Sequence, residues 1–83
     1  MTKMTEKSVI VKKTLDTRTA ALFVQTASKF KSNVKIEIDN KKVNAKSLMC
    51  IISLGITEGC KVKLTAEGED AQAAVEEIAE VLI

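Results

Sequence analysis

The sequence predicts a two-layer α+β sandwich with the element order β-α-β-β-α-β-α. Three observations lead there. Val34, Ile36 and Ile38 alternate with Lys35, Glu37 and Asp39, the period-two pattern of a strand with one wet face. Val62, Leu64 and Ala66 alternate in the same way with lysines and Thr65. Between and after these runs lie short segments of helical spacing, and helices this short need a sheet on which to bury their apolar stripes.

Taken in order, residues 8–13 read as a first strand, rich in the β-branched Val9, Ile10 and Val11. Residues 17–30 then place Ala20, Phe23, Val24, Ala27 and Phe30 at helical spacing, with Arg18, Gln25 and Lys29 off that stripe. The alternating strand over 34–38 follows. Asp39-Asn40 reads as a tight turn, because both residues tolerate positive φ. It leads into a short strand from Lys41 to Ala45. Ser47 is a favoured N-cap, so a second helix begins there, runs through L-M-C-I-I-S-L and stops at Gly55. After the last strand, Glu69 and Asp70 open a third helix against its dipole, and Ala71, Val75, Ile78 and Leu82 form its buried stripe. No repeat or linker interrupts the pattern, and residues 1–83 read as one domain.

The 83-residue chain is 46% hydrophobic, ample for a core, but Phe23 and Phe30 are its only aromatic residues. It has no histidine, which removes the commonest general base, metal ligand and phospho-accepting imidazole. Cys50 and Cys60 lack a histidine or a second cysteine pair, so they make a poor zinc site and read as reduced core filler. Neither a metal nor another cofactor is expected. The opening M-T-K-M-T-E-K has no apolar signal region and no run approaches membrane-spanning length, which points to a cytoplasmic protein without membrane contact.

Net charge is +2, unevenly spread: residues 1–46 carry 11 Lys/Arg against 4 Asp/Glu, and residues 47–83 carry 2 against 7. This split suits a basic face meeting an acidic protein partner, or a set of solvated faces. Direct nucleic-acid binding is disfavoured, because the lysines are dispersed and stacking aromatics are lacking.

Two places stand out as candidate sites. In T-L-D-T-R-T-A (14–20), Asp16 and Arg18 sit together in the first turn of a helix. The second helix is apolar nearly all round, and a short helix on an open sandwich hides only part of its circumference. Some of Leu48, Met49 and Ile52 should therefore face water beside Ser47, as a docking surface next to a phosphorylatable hydroxyl.

These residues resemble the HPr family of the bacterial phosphotransferase system. The likeness spans nearly the whole chain and is densest in K-K-V-N-A-K-S-L-M (41–49), A-A-L-F-V-Q (20–25) and G-E-D (68–70). It implies an open-faced sandwich whose four-stranded antiparallel sheet is covered on one face by three helices. It also places the family's regulatory serine at Ser47. The family's phosphocarriers read G-I-H-A-R-P-A where this chain reads T-L-D-T-R-T-A. Asp16 thus stands at the histidine that takes phosphate from Enzyme I, Arg18 at the arginine, Thr14 at the glycine and Thr19 at the proline. The pattern is similar to the Crh branch, which lacks the histidine and keeps the serine.

The resemblance implies a regulator rather than a catalyst. Ser47 would be phosphorylated by an HPr kinase/phosphorylase, and the product would bind a catabolite-control repressor of the LacI family; other phosphotransferase-system proteins are further candidate partners. Arg18, Asp16 and Lys46 would contact an anion or a partner, and Leu48, Met49, Ile52 and Phe23 would form the partner-binding patch. Two alternatives remain open. Asp16 would carry phosphate as an acyl phosphate, although no acidic cluster near it in sequence would hold the metal such chemistry uses. Otherwise the chain is a binding module without phosphorylation, with Asp16 a fixed charge or a plain helix cap.

Overall fold

In a computed structural model, which describes residues 4–83, the chain forms β1 (Met4–Ile10), α1 (Thr17–Ser28), β2 (Asn33–Ile38), β3 (Lys41–Asn44), α2 (Leu48–Leu54), β4 (Lys61–Glu67) and α3 (Ala71–Leu82). Residues 1–3, which open the segment read as free of an apolar signal, lie outside the described residues. The strands make one antiparallel sheet in the order β1-β4-β2-β3. The element order is the one the hydrophobic pattern predicts. No helix among the described residues is long and apolar enough to cross a membrane.

Register decides which side of each strand is dry. Ile36 pairs with Leu64 on one side and Val43 on the other, while Val62 pairs with Val9 and Ala66 with Val34. Those side chains share the helix-covered face; Val34, Ile36, Val62, Leu64 and Ala66, with Phe23, Ala27, Ile51, Ile56, Val75, Ile78 and Leu82, form the core, and Val9 and Val43 pack against it partly buried. Each large aliphatic group buried there contributes about 1.5–3 kcal/mol. On the open face, Glu37 stands between Lys63 and Lys42, and Lys63 Nζ reaches Glu6 at 2.9 Å. Thr65 breaks the alternation: it lies on the open face of the central strand, yet its neighbours leave it almost no exposed surface.

The first strand begins at Met4 and ends at Ile10, where residues 8–13 were expected. After Met4 its residues 5–8 are polar, as suits an edge strand, where charged side chains discourage pairing with other chains. Val11 leaves the ladder but stays in the core. Its amide donates to the Cys60 carbonyl at 2.9 Å, and its carbonyl accepts from Gly59 at 2.8 Å. Helix α1 ends at Ser28, two residues before Phe30, and β3 stops at Asn44 rather than Ala45. The Asp39-Asn40 turn has positive φ at both residues, 47° and 71°, as a type I′ hairpin requires.

Asp70 departs most from its expected role. It occupies the N-cap position of α3, but its side chain caps nothing there. Instead its carboxylate reaches across to the α1–β2 connection. It accepts from the backbone N–H groups of Lys31 and Ser32, each at 2.9 Å, and from the Ser32 hydroxyl. Gly68 makes room for this clamp: its φ is 150°, and a Cβ there would stand 2.5 Å from Ser32 Oγ and 2.8 Å from Ser32 Cα.

The bonds from Ser32 and Lys31 hold the Asp70 carboxyl below its ordinary value of 3.8. A depressed folded value means stability that is full above the ordinary value and is lost as pH falls through the lowered one. Asp70→Asn should therefore lower the urea midpoint at neutral pH and flatten the loss of stability on acidification below that value. Gly68→Ala should lower the midpoint at every pH, because its clash with Ser32 does not titrate. An Asp70→Asn curve parallel to wild type across the acid range would refute the clamp's share in acid stability.

Candidate functional site

The loop leading into α1 is held from the far side by the α2–β4 connection. Thr14 Oγ1 accepts from the Glu58 amide at 3.2 Å, and the Leu15 amide donates to the Ile56 carbonyl at 3.1 Å. Leu15 packs partly against the core, which turns Asp16 outward. The backbone of Asp16 is extended, as an N-cap requires, and its Oδ1 accepts from the Thr19 amide at 2.8 Å. That bond, with a smaller contribution from the nearby Arg18 charge, holds the Asp16 carboxyl below the usual carboxylate range. Arg18 is exposed and makes no ion pair among the described residues. The loop thus presents a carboxylate already engaged in capping beside a free guanidinium.

Ser47 is the N-cap of α2. Its Oγ accepts from the Cys50 amide at a long 3.4 Å, its carbonyl accepts from Ile51 at 3.1 Å, and Gly55 closes the helix at φ 62°. Of the helix's own residues only Ile51 is buried. Leu48, Met49 and Ile52 are 36%, 77% and 47% exposed. Their positions i, i+1 and i+4 put them on one side of the first turn, next to the serine. The exposed apolar patch expected from the sequence is present, and a helix lying over the short edge strand β3 explains why it stays uncovered.

Phe23 does not belong to that patch. It has no exposed surface and sits at the centre of the core, so its assignment as a partner contact is corrected. Its helical spacing with Ala20 and Ala27 was the relevant signal: three residues on one stripe share one fate, and here it is burial. The exposed apolar residue of α1 is Leu22, which lines a shallow groove between α1 and α3 with Lys13, Lys29, Glu77 and Glu80.

Lys46 also differs from expectation. It is half-buried, and its ammonium donates to the Phe30 carbonyl at 2.8 Å instead of projecting into solvent. The cysteines stay apart in role: Cys60 packs partly against the core with Thr57 Oγ1 at 3.2 Å from its sulfur, a contact that lowers the thiol's pKa, whereas Cys50 is half-buried on α2.

Comparison with known proteins places this geometry in a family. Residues 5–83 match the family model described as PTS HPr component phosphorylation site. The chain is 52% identical over 71 residues to the HPr-like protein Crh of Bacillus subtilis, covering 86% of this chain and 84% of that one. It is 55% identical over 75 residues to the HPr-like protein Crh of Halalkalibacterium halodurans, covering 88% and 89%. Among solved structures, a phosphocarrier protein HPr from Bacillus anthracis superposes with a TM-score of 0.92 at 45% identity, over 96% of this chain and 98% of that one.

The cap geometry carries its own test. Ser47→Ala should cost about 1 kcal/mol of stability, and Ser47→Asp, which can still accept from the helix amides, a good deal less. Chemical denaturation of the two variants checks this. Equal losses for both would mean that the long Cys50–Ser47 bond contributes nothing.

Proposed function

This chain belongs to the HPr family, and we propose that it serves as a Crh-like regulator whose chemistry is carried by Ser47. Proteins of this family are phosphocarriers or regulators that act through other phosphotransferase-system proteins, not catalysts in their own right. In the proposed reading Asp16 stands in place of the phospho-accepting histidine, so no phosphohistidine forms. An HPr kinase/phosphorylase transfers the γ-phosphoryl group of ATP to Ser47 Oγ, which loses its proton. The product binds a LacI-family catabolite-control repressor in the cytoplasm, without direct contact to nucleic acid or membrane.

The observation that carries this reading is the apolar face of Leu48, Met49 and Ile52 lying exposed beside the Ser47 cap. A phosphate on that hydroxyl adds about −1.5 to −2 charges and three acceptor oxygens at the rim of an otherwise apolar surface. The same surface then offers a partner both burial and charge-assisted hydrogen bonds, which the unmodified form lacks. Arg18 and Asp16 would add contacts at the start of α1, which lies beside the segment that follows α2.

Carriage of phosphate by Asp16 is the weaker alternative. The carboxylate oxygen facing the helix is committed to Thr19, and a depressed pKa marks a stabilised, less basic nucleophile. A binding module that is never phosphorylated would use the same patch unswitched.

Incubation with ATP and an HPr kinase, and separately with phosphoenolpyruvate and Enzyme I, followed by mass spectrometry, separates the three. One acid-stable phosphate from ATP alone, absent in Ser47→Ala, is expected. Label that is hydroxylamine-labile, comes from phosphoenolpyruvate and disappears in Asp16→Asn would establish the carrier instead. No label from either donor would leave the unmodified module.

A further inference from the structure

We propose that Lys46 is a positioning residue for Ser47, acting through its ammonium at the carbonyl end of α1 and not by touching an anion or a partner. The proposal rests on the Ser47 reading above and concerns how that hydroxyl is held.

Residues 44–47 carry the chain from β3 to α2, and most of their bonds are local. The Lys46 amide donates to Asn44 Oδ1 at 2.9 Å, and the Ser47 amide donates to the Asn44 carbonyl at 3.2 Å. These shape the turn, while the Ala45 amide ties its start to Val34 in β2 at 2.9 Å. None of them relates the turn to α1. The bond from Lys46 Nζ to the Phe30 carbonyl, 16 residues away in sequence, does.

The acceptor end explains why a lysine is held there. Helix α1 has no basic residue in its last turn, and the ammonium of its cap residue Lys29 is paired with Glu77 on α3 at 2.9 Å. Carbonyls at and just beyond a helix C-terminus lack intrahelical partners and gather partial negative charge. Lys46 supplies the missing cation from another element. The ammonium donor makes the bond charge-assisted, and partial burial leaves it less screened than a surface pair. The end of α1 and the start of α2 are thereby tied, and Ser47 sits one residue from the tie.

The chemistry of the tie separates two variants. Lys46→Met keeps an apolar stem of similar length and loses the donor, whereas Lys46→Arg keeps a cationic donor. Both leave the buried Ile51 and the core in place, so both should fold. The full-length chain and each variant are assayed with ATP and an HPr kinase for kcat and KM. In parallel, amide exchange at Ser47 and Ile51 and the carbonyl chemical shift of Phe30 are read by NMR.

Lys46→Met should lower kcat about tenfold with KM changed less than about twofold, speed exchange at both amides about tenfold and move the Phe30 carbonyl shift. Lys46→Arg should restore most of each. A raised KM with unchanged exchange would assign Lys46 to direct partner contact and overturn the proposal, as would three unchanged readouts. If the wild-type chain takes no phosphate from ATP, the Ser47 reading fails by itself. The exchange rates and the carbonyl shift then decide alone whether Lys46 holds the turn: changed in Lys46→Met and restored in Lys46→Arg, it does; otherwise the proposal falls.

Discussion

A four-stranded sheet with one covered face limits how much apolar helix surface the molecule can hide, and the other features follow from that limit. Helix α3 packs over β1 and β4, α1 packs against α3, and α2 packs against α1 above the short edge strand β3. Burial is therefore graded across the helices. Six residues of α3 are buried, three of α1 and one of α2. An all-round apolar sequence placed at the poorly covered end must expose part of itself, and Leu48, Met49 and Ile52 are that part. The surface proposed for partner binding is a consequence of topology before it is a consequence of function.

Two tethers keep this thinly packed layer in place, and both run between segments far apart in sequence. The Asp70 carboxylate fastens the start of α3 to the α1–β2 connection through three bonds. The Lys46 ammonium fastens the start of α2 to the carbonyl just past the end of α1. Each is a charged group satisfying backbone atoms that helix ends and turns leave unpaired. Each also lies next to a place where the chain reverses direction. Polar tethers do there what the core does elsewhere.

The loop before α1 is fixed by bonds from each of three successive residues. Thr14, Leu15 and Asp16 each make a specific bond, to Glu58, Ile56 and Thr19 respectively. The Asp16 carboxylate is engaged in starting a helix. What the loop offers outward is the exposed Arg18 beside the capping carboxylate of Asp16.

Periodicity and cap residues in the sequence were enough to determine the element order, the dry and wet faces of β2 and β4, the Ser47 and Gly55 ends of α2 and the exposure of its apolar side. These depend on contacts within a turn or along a strand, so neighbouring residues encode them. The G-E-D and K-S stretches were legible as marks of a family, but the partners of Asp70 and Lys46 were not, because Ser32 and Phe30 lie 38 and 16 residues away. The polar opening of β1 was invisible for a related reason: an edge strand is specified by the strand it pairs with, here β4, more than by its own side chains. Phe23 was misassigned where two readings competed, a large apolar group near a candidate site and a member of a buried stripe. Local sequence could set the direction of each side chain on its own element. Only the tertiary structure, by deciding which elements stand on either side, settled which of those directions lead into the core, into a tether or into water.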